Sequence, residues 1–462
     1  MPSFPSRRCL GLALVLLCCP ALAAAGLSLA EATRLAREQA PSLVGQQLAL
    51  DGARDQLPAA TTLPDPRLTL GVDNLPISGA DRYSLSAEAM TMRRLGLVQE
   101  VPNRAKREAR AASAQAKVAR EQSLLVAAQL AVQRDAALAW AAVYYAEQRA
   151  ARLGELEREN RLLIDTLDAR IAAGRAMPAE RTMARQEGLA LADRRDDAKR
   201  DIAKSRSALR RWVGARADDA LDGEPPLPPL QPEAVRAGLH RHAEIAPYAA
   251  MQDVARAEAS EAEAEQNGDW GWEVSYNKRG SQYGDMVSFQ FSFDIPWQKD
   301  QRQQPVVAAR QKEVQRLAAE RDETLRRHGE EIEAQLADLQ ALDAQQARLA
   351  GNGMALAAER VALALAAYEA GRGDLAGVLM ARREAAEFRL RLIDLDAQRA
   401  ALRIRLTTLI AEQGGDDPPE APSAPPPKGA TPVARRSRFH GVRWAASDTC
   451  IERGACHDGE LT

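Results

Sequence analysis

Proline is absent from two long intervals of this 462-residue chain, between Pro102 and Pro178 and again between Pro305 and Pro418. Both intervals are filled with Ala, Leu, Arg, Glu and Gln, which lose little rotamer freedom in a helix. If residues 103–172 form one helix, it extends about 105 Å at 1.5 Å per residue. An ordinary globular helix has about a dozen residues, and helices this long belong to coiled coils or tubes. Hydrophobic residues make up 46% of the chain but aromatics only 4%. The apolar content is therefore mostly Ala and Leu, which suits thin layers of closely packed helices better than a thick core.

The second half repeats the first. Ala173-Gly174-Arg175 recurs as Ala370-Gly371-Arg372, and Met183-Ala184-Arg185-Gln186-Glu187 recurs as Met380-Ala381-Arg382-Arg383-Glu384. Gly154 and Gly351 keep the same register, 197 residues apart (351 − 154). A looser match sets Gln99-Glu100-Val101-Pro102 against Phe293-Asp294-Ile295-Pro296. One duplicated structural unit accounts for these matches.

Between the helices the period changes from 3.6 to 2. Trp270, Trp272, Val274 and Tyr276 alternate with Gly271, Glu273, Ser275 and Asn277, and Val287, Phe289, Phe291, Phe293 and Ile295 alternate with Ser288, Gln290, Ser292 and Asp294. Each run is a strand with one apolar and one polar face, and residues 277–284 join the two as a hairpin. Leu68, Leu70 and Val72 form a fainter version in the first half, with a partner strand of mixed pattern near Thr91 to Val101. Each repeat thus reads helix, strand hairpin, long helix, helix.

The ends are of another kind. Arg7 and Arg8, the apolar run from Cys9 to Cys19, and Ala21-Leu22-Ala23 make a secretory signal peptide over residues 1–23. Lipidation at Cys18 or Cys19 is the alternative processing. Residues 24–221 are the first repeat, 222–232 a stiff Pro-rich connector, 233–413 the second repeat, and 414–462 a disordered tail rich in Gly, Pro and Ser. Only Cys450 and Cys456 remain in the mature chain, so its body has no disulfide framework and no thiolate metal site. The net charge of −2 excludes a nucleic-acid footprint. No Gly-rich phosphate loop, His-Glu-x-x-His run or nucleophile elbow occurs, so no catalytic residue, cofactor or resident metal is assigned.

Four strands of about ten residues suit a bilayer crossing, yet they cannot close a barrel, because outer-membrane barrels start at eight strands and open edges are not tolerated in lipid. Shared among three copies they would give twelve. The competing arrangement is a soluble sheet whose apolar face rests on helices. Trp270, Trp272 and Trp297 fall near strand ends, where interfacial girdles favour aromatics.

This layout resembles the TolC family of outer-membrane efflux proteins over about residues 27–412. Leu63-Pro64-Asp65-Pro66, Gly71-Val72-Asp73-Asn74-Leu75-Pro76, and Met90-Thr91-Met92-Arg93-Arg94 leading to Val98-Gln99-Glu100-Val101-Pro102 also resemble the heavy-metal, CzcC-like branch. The resemblance implies a mainly α fold with a small β part. Long antiparallel helices would form a periplasmic α-barrel, and four strands per protomer would enter a trimeric twelve-stranded β-barrel in the outer membrane. It implies a non-enzymatic exit duct, a homotrimer that meets outer-membrane lipid, a periplasmic adaptor and an inner-membrane RND pump. Heavy-metal cations are the cargo implied by the branch. Drug efflux or type I secretion is the alternative within the family, and a periplasmic coiled-coil adaptor or scaffold the alternative outside it.

In the family the helix-turn-helix tips carry a glycine after the long helix, and the adaptor docks there. Gly174 with Arg175, and Gly371 with Arg372 and Asp374, match those places. Glu180 and Asp374 are the acids near a constricted entrance gate, although they do not occupy equivalent repeat positions. Three smaller groups have plainer readings. His240 and His242, two apart, would point away from each other on a helix. Met90 and Met92 fit packing at the barrel–helix junction better than a soft-metal site. Cys450 and Cys456-His457 fall in the tail.

Overall fold

Ser28 accepts a hydrogen bond from the Glu31 N–H and caps α1 (Leu29–Gln39). Pro41, at the first helical position where its missing N–H costs nothing, starts α2 (Pro41–Thr61). Strands β1 (Arg67–Asp73) and β2 (Met92–Val101) follow, then α3 (Arg104–Ala172) and α4 (Pro178–Val213). The second half supplies α5 (Pro232–Ala237), α6 (Ala246–Ala264), β3 (Trp270–Lys278), β4 (Met286–Phe293), α7 (Lys299–Arg348), α8 (Met354–Glu369) and α9 (Leu375–Thr408). This computed structural model describes residues 26–225 and 229–408. The signal segment with Cys18 and Cys19, connector residues 226–228, and the tail with Cys450, Cys456 and His457 lie outside the described residues.

The expected long helix of the first half is α3, unbroken over 69 residues. Its counterpart is not one regular helix. It begins ahead of Pro305, which sits inside α7, and a single π turn, Leu349–Gly353, separates α7 from α8. Gly351 lies in that turn, whereas its repeat partner Gly154 lies within unbroken α3. A π turn accommodates one extra residue. A Cβ at Gly353 would stand 2.9 Å from the tip of the Leu349 side chain, which would have to turn aside.

Helix packing is thin, as the composition requires. α3 packs against α2, α4, α6 and α9, and α9 also against α7 and α8. Ala136, Ala137, Ala141, Ala184, Ala198, Ala259 and Ala400 are among the buried seam residues. The thickest part of the core surrounds Trp140, packed with Leu27, Leu35, Val143, Leu209, Val213 and Ile404. The buried Trp140 indole N–H finds its partner in the Leu27 carbonyl at 2.8 Å.

The four strands form one antiparallel sheet in the order β1-β2-β3-β4, so the two hairpins are joined side by side through β2 and β3. The β3–β4 turn spans residues 279–285, slightly later than expected, and the strand of mixed pattern in the first half is β2. Cross-strand register puts Leu68, Leu97, Val274 and Phe289 in one row, and Leu70, Leu95, Tyr276 and Val287 in the next. The opposite face carries the rows Thr69, Gly96, Ser275, Ser288 and Arg67, Val98, Glu273, Gln290.

Candidate functional site: an inside-out sheet and two helical tips

A soluble sheet buries its apolar face and wets its polar one. Here the relation is reversed. Ser275 and Asn277 are 4% and 3% exposed, while Phe289 on the other face is 71% exposed. Leu68, Leu70, Leu95, Leu97, Val287, Phe291 and Phe293 are likewise exposed. Burying one such side chain fully is worth roughly 1.5–3 kcal/mol, so leaving eight of them between 40% and 76% exposed forfeits on the order of 10 kcal/mol. That is comparable to the roughly 5–15 kcal/mol by which a typical domain is stable. The apolar band needs an apolar medium or partner, and the competing arrangement, with helices resting on this face, is not what the structure has.

The polar face is stitched by charge. Arg94 lies 2.9 Å from Glu273 and 3.4 Å from Asp73, and Arg67 pairs with Glu100. Gly96 leaves room for these groups, since a Cβ there would stand 2.6 Å from the Thr69 hydroxyl. The buried Thr91 hydroxyl donates to the Asn74 carbonyl at 2.9 Å. Residues 91 and 94 of the Met-Thr-Met-Arg-Arg run therefore close the first hairpin. Met90 is exposed and Met92 half-buried, pairing in register with Asp73. Among the expected girdle residues, Trp270 is exposed, Trp272 half-buried, and Trp297 is 89% exposed.

The helical reversals repeat bond for bond. Gly174 and Gly371 both have φ of 69°, a left-handed conformation that glycine adopts without strain. The Gly174 N–H donates to the Ile171 carbonyl and Arg175 N–H to Arg170. The Gly371 N–H donates to Tyr368 and Arg372 N–H to Ala367. Each partner lies 197 residues from its counterpart (368 − 171 and 367 − 170). Arg175, Arg372 and Asp374 are exposed.

The two expected gate acids have different surroundings. Asp374 Oδ1 accepts from the Gly377 N–H at 2.8 Å and so caps α9. Glu180, half-buried in the first turn of α4, accepts from the Tyr368 hydroxyl at the end of α8. Arg170 lies 4.6 Å over the Tyr368 ring. Leu167, Ala184, Leu375 and Val378 complete a small apolar core under the tips. Burial, and then the bond to Glu180, push the Tyr368 hydroxyl above its ordinary range. Neither Tyr368 nor Arg170 stands out in the sequence; what marks Tyr368 in retrospect is its place three residues before the tip glycine.

His242 and His240 do not act together. His242 is buried and stacks on His328 with ring centroids 4.3 Å apart. The His328 nitrogens lie 2.9 Å from Glu331 and 3.0 Å from Glu244. Among the described residues, no group of three or more His, Cys, Asp and Glu is arranged to hold a metal ion.

No protein-family model matches the sequence, and no curated protein matches it. Solved structures do resemble it. Over 82% of this chain it superposes on 91% of CusC, whose crystal structures concern folding and transmembrane channel formation, with a TM-score of 0.70 and 16% identity. The outer membrane protein VceC of Vibrio cholerae gives 0.69 and 18%, covering 82% of this chain and 95% of that one. The CmeC outer membrane channel of Campylobacter jejuni gives 0.68 and 13%, covering 82% and 85%. The shared property is the fold: long antiparallel helices carrying one four-stranded antiparallel sheet.

Proposed function

We propose that three copies of this chain close their sheets into a twelve-stranded barrel in the outer membrane of a Gram-negative bacterium. Their helices would continue it as a tube through the periplasm. The protein is then the exit duct of a tripartite efflux pump of the TolC type, and the transport energy comes from other chains. The observation that carries this reading is the inside-out sheet. Its apolar band suits lipid, its charged and hydroxylic face suits a water-filled lumen, and its two open edges, β1 and β4, are those a closed assembly must pair. β2, at ten residues, has the length of a tilted bilayer-spanning strand.

In this reading residues 24–221 and 233–413 are two copies of one building block, with the connector between them. The tips at Gly174, Arg175, Gly371, Arg372 and Asp374 are where a periplasmic adaptor docks, and an RND pump of the inner membrane loads the duct. The Glu180–Tyr368 bond latches the entrance, joining the α3–α4 and α8–α9 hairpins. Trp270 and Trp272 belong to the aromatic girdle. The proposed cargo is a heavy-metal cation, a reading that rests on the resemblance of residues 63–66, 71–76 and 90–102 to the CzcC-like branch.

A cysteine scan of β4, in a chain with Cys450 and Cys456 replaced by serine, tests the carrying observation. In outer-membrane vesicles, positions 288, 290 and 292 should react with a water-soluble maleimide, and 287, 289 and 291 only with a lipid-soluble one. Equal labelling at all six positions would contradict the barrel.

A further inference from the structure

The shared barrel contains two kinds of seam. One lies within a protomer, between β2 and β3; the other would lie between protomers, between β4 of one copy and β1 of the next. The first is locked at its periplasmic end. Asp269, the residue before β3, accepts from the Asn103 N–H at 2.8 Å and pairs with the Lys106 ammonium at 3.0 Å. Asn103 in turn donates through its side chain to the Ala264 and Asn267 carbonyls. A carboxylate on the lead-in to one strand thus clasps the point where its neighbour turns into a long helix.

The second seam has related parts without their partners. Gln99-Glu100-Val101-Pro102 aligns with Phe293-Asp294-Ile295-Pro296, so Trp297 occupies the place of Asn103. In the same alignment Asp300 stands where Lys106 does, and the nearest cation, Lys299, lies one residue earlier. Among the described residues, neither the Trp297 N–H nor the Lys299 ammonium meets an acceptor, and α7 begins without a side-chain cap. Asp65, on the lead-in to β1, is exposed and pairs with no cation among the described residues. Leu63 is exposed, as is Trp297. Leu63 precedes the first residue of β1, Arg67, by four positions (67 − 63), and Trp297 follows the last of β4, Phe293, by four (297 − 293). Two strands crossing one membrane slab in opposite directions bring these positions to the same height.

Resting on the shared-barrel reading, we propose that Asp65 of one protomer clasps the β4–α7 junction of the next. Its carboxylate accepts from the Trp297 N–H and pairs with Lys299, and the Trp297 ring packs on Leu63 and Pro64. The occupant of this surface is a second copy of the chain, because the clasp repeats the Asp269 arrangement and continues the open β1 and β4 edges. Trp297 then belongs to the seam and not to the lipid-facing girdle.

The test is the dissociation temperature of the full-length trimer in detergent, followed by native mass spectrometry. Asp65→Lys and Lys299→Asp should each lower it by several degrees, and the double exchange should restore most of the loss. The fluorescence lost in Trp297→Phe should resist quenching by phospholipids brominated on their chains. Trimers of unchanged stability in both single variants, or strong quenching of Trp297, would overturn the clasp and leave the barrel reading intact. A wild-type chain that never forms trimers would overturn the barrel reading and the clasp with it.

Discussion

The Tyr368 hydroxyl donates a hydrogen bond to Glu180, a residue 188 positions earlier in the chain and on the other helical hairpin. Arg170, stacked over the Tyr368 ring from the first hairpin, joins the same two tips. A hydrogen bond to a charged group is worth about 1.5–3 kcal/mol, and about 1.4 kcal/mol is a factor of ten in an equilibrium. Removing it with Tyr368→Phe, which keeps the ring under Arg170, should shift the entrance toward open by ten-fold or more. Single-channel recordings should show a several-fold higher mean conductance, with Glu180→Gln giving a smaller rise. Unchanged conductance in Tyr368→Phe would remove the latch.

The tip glycines should separate assembly from export. At φ of 69° a β-branched residue costs about 1–2 kcal/mol of backbone strain, too little to unfold tubes of this size. Gly174→Val together with Gly371→Val should therefore leave trimer yield nearly unchanged while abolishing export and adaptor pull-down. Normal export by the double variant would place docking elsewhere.

Acid should loosen the packing around His242. Burial, aided by the neighbouring His328, lowers the His242 ring to about 4 from its ordinary 6.5. The unfolded chain thus binds a proton between those values that the folded chain refuses. The stabilising contribution is complete above about pH 6.5 and is lost as pH falls toward about 4. Glu244, Glu331 and Arg134 surround the pair. The unfolding temperature should drop between pH 7 and 4.5, and His242→Gln should flatten that drop. Equal slopes in the two proteins would contradict the assignment.

Much of this architecture is legible in the chain because its signals are local. Proline spacing marks α3, and period-2 alternation marks β3 and β4. The Ala-Gly-Arg duplication marks both reversals, down to the φ of Gly174 and Gly371. What stays hidden depends on residues far apart. The Glu180–Tyr368 bond and the His242–His328 stack join side chains 188 and 86 positions apart (328 − 242), and neither lies in a motif. The π turn at Leu349–Gly353 is equally silent, since Gly154 holds the equivalent place in a helix that does not break. β2 is faint in the sequence because Arg93, Arg94, Gln99 and Glu100 blur its alternation; they are polar where the strand meets its pairing partners and the water at its ends.

Cargo should be read from survival. A strain lacking this chain should become sensitive to one or more of zinc, cobalt, cadmium, copper and silver, with complementation restoring growth. Sensitivity to dyes, detergents or antibiotics alone would keep the duct and replace the metal reading with drug efflux.

The most direct measurement is the mass of the particle extracted from outer membranes in mild detergent, read by native mass spectrometry. The expected value is three times that of the processed chain, with no stable monomer, because one four-stranded sheet cannot close on itself. A monomer that persists in the membrane fraction and in detergent would contradict the shared barrel.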